Sequence, residues 1–189
     1  MLNREPAEGS EAAGETPAPP DGAPDLRAPV PSVEGELLRQ AMSQLSSGVA
    51  VVTTLWQGRP HAMTATAVCS VSLDPPLILV CVGRTSRFSA AILGSGRWAV
   101  SLLARDQEAV ARHFADRGRD LLTQFDAVPH APGPRTGAPL VEGALAWLEC
   151  DTSSVHDGGD HSIVVGRVLD AGTGAVAAQP LTYQRGRYS

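Results

Sequence analysis

Four hydroxyls at even spacing are the first candidates for chemistry in this chain. Thr64, Thr66, Ser70 and Ser72 interleave with Met63, Ala65, Ala67, Val68, Cys69 and Val71. That alternation predicts a strand from Met63 to Ser72 with one apolar face and one hydroxyl face. The hydroxyl face reads either as plain barrel wall, since Thr favours strands, or as a cradle for a flat polar ring. Downstream, Ser86 is placed to cap a helix with its own oxygen. A helix N-terminus beside the two-pronged donor Arg87 suits a phosphate, and His113 and Phe114 are candidates to close over it.

The other chemistry-bearing clusters are weaker. His156 and His161 bracket Asp157-Gly158-Gly159-Asp160. As ligands they suit a hard or borderline metal; as a turn, Asp and Gly simply supply unusual backbone angles. A third reading has the turn present His161 to a ligand at a barrel mouth. Gly172-Thr173-Gly174-Ala175-Val176-Ala177 fits a dinucleotide fingerprint, but too few residues follow for the helix, strand and acid that motif needs. No G-x-S-x-G is present, and Cys69 has no base near it in sequence, so it reads as packing.

Several elements must position these groups. Leu37, Leu38, Ala41, Met42 and Leu45 recur at helical spacing, predicting a helix over 34–45 that Ser46-Ser47-Gly48 ends. Val49 to Trp56 reads as a strand, and Gln57-Gly58-Arg59-Pro60 as a hairpin turn into the hydroxyl strand. Asp74-Pro75-Pro76 breaks the ladder, and Leu77 to Val82 reads as a fully buried strand. A short helix to about Leu93 follows Ser86, with Gly94 and Gly96 as its stop. Arg97 to Leu103 is a strand, and Asp106 is the expected cap of a helix over 107–115. A short helix is expected around Leu121 and Leu122, and a loop from Pro129 to Pro139. Strands are expected over 144–155, 161–171 and 181–185. Six or seven strands with singly inserted helices and short connections predict an antiparallel sheet, closed into a barrel to remove its edges.

Composition narrows the function class. The chain has 189 residues, 43% of them hydrophobic, enough for one domain with a core. Residues 1–33 hold six acids and two bases, a net of −4 out of the chain's −5. The remainder is nearly neutral, without the basic stripe that nucleic acid requires. All 15 basic residues are Arg, which excludes a Schiff-base lysine and a phosphate-loop lysine. The three cysteines lie in apolar runs without pairing spacing, as in a reducing compartment. No apolar run reaches the roughly 20 residues of a membrane span. The first residues lack the apolar core of a secretory signal, so the expected location is cytoplasmic. Residues 1–32, rich in Pro, Ala and Glu, are expected to be a disordered tail, and 33–189 the folded domain.

Taken in order, the segments LLRQAMSQLSSGVAVVTT, GRPHAMTATAVCSVSLDPPLILVCVGRTSRF, GSGRWAVSLLARDQEAVARHF, GAPLVEGALAWLEC, VHDGGDHSIVVGRV and YQRGRY resemble the flavin-reductase-like FMN-binding split barrels. That family includes the small reductase components of two-component flavin-dependent monooxygenases. The resemblance implies a mainly β fold with inserted helices, an antiparallel split β-barrel working as a homodimer. It implies FMN or FAD, with NADH or NADPH as hydride donor. It also implies that reduced flavin leaves by diffusion for a separate monooxygenase, with no nucleic-acid or membrane partner. By position, His61, Ala62, Met63, Thr64, Thr66 and Ala67 are expected along the flavin ring and ribityl chain. Cys81, Val82 and Gly83 are expected at the ring, and Ser86, Arg87, Phe88, His113 and Phe114 at the phosphate end. His161 is expected to orient the nicotinamide as the catalytic-site residue, and no metal is implied. A non-reductase flavin- or haem-binding split barrel is the alternative. The chain departs from the common pattern at Thr66-Ala67, Ser101, His113 and Leu121-Leu122.

Overall fold

The computed structural model describes residues 32–174 and 178–189. The expected disordered tail, apart from its last residue, lies outside the described residues, as do the last three positions of the Gly172 stretch. The unit from Gly35 to Ser189 is built on a seven-stranded, wholly antiparallel sheet. Its strands in chain order are β2 (Ala50–Trp56), β3 (Arg59–Ala65), β4 (Val68–Leu73), β5 (Pro76–Gly83), β6 (Arg97–Leu102), β9 (Ala146–Gly158) and β10 (His161–Thr173). Across the sheet the order is β3-β2-β6-β9-β10-β5-β4.

The two edge strands, β3 and β4, are consecutive in sequence and joined only by Thr66 and Ala67. Two residues span no more than ~7 Å, so the sheet must curl until the end of one edge strand lies beside the start of the other; no ladder joins β3 to β4, so the barrel expected to close stays split along this seam. Ala67 already belongs to the far edge: its carbonyl accepts from the Cys81 amide at 3.1 Å. The single strand expected over 63–72 is therefore two strands serving opposite edges. The hydroxyls do not form one row, because a register shift between Ser70 and Ser72 breaks the β4–β5 ladder. Thr64 is committed elsewhere: its hydroxyl donates to the Ala111 carbonyl at 2.6 Å.

Alternation explains the two-layered core. Ala50 and Val52 of β2 face the sheet's concave interior with Val80, Val82, Trp98, Val100, Cys150 and Val164. Val51 faces the opposite way, into a second cluster with Ala62, Leu103, Ala111, Phe114, Phe125 and Leu181. With both faces covered, β2 is buried along five consecutive residues, as its run of β-branched side chains favours. β5 differs from its expected full burial. Ile78, Val80 and Val82 are buried, while Leu77, Leu79 and Cys81 are only half-buried, so one face remains available.

Helix α2 (Arg87–Ser95) closes the concave side with Phe88, Ala91 and Ile92. Gly96, at φ 68°, ends it in the left-handed conformation. Gly94 lies inside the helix, against Trp56: a Cβ there would sit 2.5 Å from the indole Nε1. Helix α3 (Glu108–Ala115) covers the second cluster. Asp106 is not its cap; it lies in a 3-10 turn over Arg105–Gln107, where Gln107 Oε1 accepts from the Ala104 amide at 3.0 Å. Residues 121–122 form a turn rather than a helix. Buried Gln124 pins that segment by donating to the carbonyls of Pro60 and Leu121, each at 3.0 Å.

The segment over 129–139 is a small hairpin, β7 (His130–Pro132) with β8 (Pro139–Val141), where a loop was expected. Its turn is held by fully buried Glu149, which accepts from the Thr136 amide at 2.8 Å and hydroxyl at 2.7 Å. Helix α1 is shorter than expected, Gly35–Met42, and buries none of its residues. β1 (Ser47–Gly48) pairs with β11 (Thr182–Gln184), which pairs with β12 (Arg187–Tyr188). Among the described residues no helix is long and apolar enough to cross a membrane.

Candidate functional site

Beside the link between the two edge strands, a cavity of about 870 Å³ opens, within the size range of cofactor sites. One wall is Met63 to Ala67, the end of β3 and the link to β4. The half-exposed face of β5 contributes Cys81 and Gly83. The turn and first residues of α2, Arg84 to Phe88, form the next side. Phe114, Ala115, Arg117 and Arg119 come from the end of α3 and the segment after it, and Asp160 and His161 from the hairpin tip.

The rim is cationic: four arginines face one aspartate across it. Ser86 caps α2 as its sequence implies, its side chain accepting from the Ser89 amide at 3.1 Å. The first residues of α2, Arg87 and Phe88, line the cavity, so the positive end of the helix borders it. Arg87 donates to the carbonyls of Arg117 at 2.6 Å and Arg119 at 3.3 Å. It thereby binds the 117–119 segment to the helix start, and a guanidinium with five donors retains others for an anion.

Arg119 is one of the lining residues not expected from the sequence, with Ala65, Arg84, Thr85, Ala115, Arg117 and Asp160. Its guanidinium donates to the carbonyls of Phe114 at 2.9 Å, Asp116 at 2.7 Å and Ala62, and to Gln124 Oε1 at 3.2 Å. Its charge lies 5.7 Å from the centre of the Phe114 ring. Burial first, and then the Arg87 charge, push its pKa below the usual arginine value. The only sequence signal was an arginine two residues beyond Arg117, across Gly118, just past a helix end.

His161 sits at the tip of β10, opposite Gly83 in register. Its Nδ1 donates to Asp160 Oδ1 at 2.7 Å, leaving Nε2 directed over the β5 strand. A Cβ added at Gly83 would come 3.6 Å from Nε2. The imidazole edge thus lies within van der Waals reach of the Gly83 backbone, at one end of the cavity. The His161 bond holds the Asp160 carboxyl below its usual range.

Of the expected site residues, Met63, Thr64, Thr66, Ala67, Cys81, Gly83, Ser86, Arg87, Phe88, Phe114 and His161 line this cavity. Four do not. Ala62 and Val82 point into the two core clusters, 1% and 0% exposed, because strand alternation turns them away from their lining neighbours. His113 donates from Nε2 to the Gln124 carbonyl at 2.7 Å behind Phe114. His61 lies beside Trp56, ring centres 6.0 Å apart. His156 pairs with the Ser154 hydroxyl at 2.9 Å, apart from His161. Among the described residues no group of three His, Cys, Asp or Glu is arranged to hold a metal ion.

The residues present suit a phosphorylated flat heterocycle. Small side chains and the bare Gly83 form the floor, and arginines with a helix N-terminus form the anion end. Comparison with known proteins agrees. The profile described as "Flavin reductase like domain" matches residues 42–189. An NADH-dependent FAD reductase of Streptomyces globisporus is 41% identical over 152 residues, covering 80% of this chain and 82% of the relative. An NADH:riboflavin 5'-phosphate oxidoreductase of Streptomyces pristinaespiralis is 40% identical over 156 residues, covering 82% and 87%. Among solved structures, BorF, the flavin reductase component of a bacterial two-component tryptophan halogenase, superposes with a TM-score of 0.78. It is 46% identical, with 82% of this chain and 97% of BorF covered. The S. globisporus C-1027 NADH:FAD oxidoreductase SgcE6, in complex with NAD and FAD fragments, gives 0.77 at 38% identity, covering 85% and 96%. The curled antiparallel sheet is the split barrel of these reductases, and by its sequence and its fold this chain belongs to the flavin reductase like domain family.

Proposed function

We propose that this chain is an NAD(P)H:flavin oxidoreductase that supplies reduced FMN or FAD to a separate flavin-dependent monooxygenase. The observation that carries the reading is the cavity itself, which joins an arginine-rich end to a wall of small side chains and the His161 imidazole beside Gly83. When bound, the flavin supplies the hydride-accepting ring, chemistry that belongs to the cofactor. The chain's task is binding and orientation. Arg87, Arg119 and the α2 amides hold the phosphate, and Thr66, Ala67, Cys81 and Gly83 form the wall against the ring. His161, with Nδ1 tied to Asp160, offers Nε2 as an acceptor for the carboxamide of the nicotinamide. Holding the donor and acceptor rings in contact is worth several orders of magnitude in rate.

The rest of the reading follows from the same residues. The cavity is open on one side, and a second copy of the chain is the proposed cover, giving a homodimer. Residues 33–189 are the proposed catalytic domain. Three unpaired cysteines, one of them fully buried, fit a reducing cytoplasm.

The deciding experiment is steady-state oxidation of NADH and NADPH by purified protein with FMN, FAD or no flavin added. Turnover that requires added flavin and saturates with it supports the reductase. A protein that purifies yellow yet oxidises neither nucleotide supports a flavin-binding role of another kind.

A further inference from the structure

His161 stands at the end of a long two-stranded hairpin whose turn is only Gly159-Asp160. The β5–β10 ladder that braces it stops at the Gly83–His161 pair. One residue beyond that ladder extends the brace. The Arg84 amide donates to the Asp160 carbonyl at 3.0 Å, and its Nε donates to the His161 carbonyl at 3.3 Å. Arg84 Nη2 pairs with Asp157 Oδ1 at 2.7 Å. Asp157 is fixed in turn, the same oxygen accepting from the Gly159 amide at 2.8 Å. That amide first, and then the Arg84 charge, hold the Asp157 carboxyl below its usual range. Arg84 therefore grips both strands of the hairpin tip from the turn that leads into α2.

Resting on the reductase reading, we propose that Arg84 and Asp157 form a clamp that positions His161, and that this clamp sets affinity for the pyridine nucleotide rather than for the flavin. Both side chains are well exposed, 47% and 77%. Their pairing is therefore of the screened surface kind, with an effect of roughly two- to five-fold in KM. Arg84 is a positioning residue in this account, acting on His161 through the backbone it holds.

The test compares Arg84→Gln, Asp157→Asn, the double variant of these two and the conservative Arg84→Lys. Both neutralising variants should raise the nicotinamide KM two- to five-fold, by a larger factor than kcat falls. Arg84→Lys should keep much of the wild-type value, and the double variant should raise KM by less than the product of the two single effects. Flavin Kd from fluorescence quenching should stay unchanged in Asp157→Asn. In protein labelled with 15N-histidine, the His161 ring signals should shift in both neutralising variants and lie near their wild-type positions in Arg84→Lys. A raised KM in Arg84→Gln with a wild-type KM in Asp157→Asn would mean that Arg84 touches the nucleotide itself and would overturn the clamp. Unmoved ring signals in both variants overturn it as well. Failure of the wild-type protein to oxidise either nucleotide would sink the reductase reading instead, and the ring signals would still decide the clamp.

Discussion

His161 and Arg119 meet the same cavity with opposite chemistry. The imidazole is half-exposed and offers one free nitrogen, whereas the guanidinium is spent mostly on the protein. Replacing His161 with Ala should raise the nicotinamide KM while leaving flavin Kd within two-fold; a KM equal to wild type in steady-state assays would remove its role. Replacing Arg119 with Met strips donors from the carbonyls of Ala62, Phe114 and Asp116 at once. Leaving part-buried carbonyls unpaired should cost about 2 kcal/mol in urea unfolding and also weaken flavin binding. His61 carries a pH prediction. Burial first, and then the charges of Arg59 and Arg119, lower its pKa from the ordinary 6.5. The folded state thus prefers the neutral ring. Its contribution is complete above pH 6.5 and is lost as pH falls through the lowered folded value. Unfolding measured at pH 7.5 and pH 5 should show a smaller acid loss in His61→Gln than in wild type. Cys150 behaves as a buried thiol. Burial, aided by the Glu149 charge, pushes its pKa up to about 12, so iodoacetamide at pH 8 should label exposed Cys69 and spare Cys150 until the protein unfolds.

At the scale of elements, the hairpin of β9 and β10 is the longest and carries His161 at its far end. Its register shifts between Val165 and Gly166, where the sheet bends over Trp98. A Cβ at Gly166 would lie 2.4 Å from Trp98 Cζ2 and 2.9 Å from the Cys150 Cβ. Gly166→Ala should therefore cost about 1–3 kcal/mol, read as a lower denaturant midpoint with an unchanged slope. The elements themselves were largely legible from the chain. The β-branched run of β2, the Ser86 cap and the αL glycine Gly96 are local signals, and local signals survive folding. Two of the differences were decided by a partner on another element. Glu149 folds 130–141 into a hairpin from a strand well along the chain, and Gln124 pins the turn at 121–122 to Pro60. Asp106 differs for a local reason: a 3-10 turn closed by Gln107 Oε1 on the Ala104 amide precedes α3, whose first residue receives no side-chain cap.

For the whole molecule, the linked but unpaired edges of one sheet matter most. A sheet whose first and last strands share a two-residue link must curl, and the gap at that link becomes the site. The proposed second copy should appear as a dimer mass in sedimentation at micromolar concentration; a monomer there would leave the open side of the cavity to solvent. Sequence alone determined the strand-rich class, the antiparallel pairing, the capped helix, and through several ordered segments the family. Those features depend on neighbours in the chain and on side-chain type. Tertiary structure decided that the hydroxyl strand is two strands, that Thr64 answers to α3, and that Ala62 and Val82 face the core. It also brought Arg84 and Arg119 to the cavity. Such assignments depend on which face of an edge strand the curled sheet turns inward, and that direction exists only once residues far apart in the chain have met.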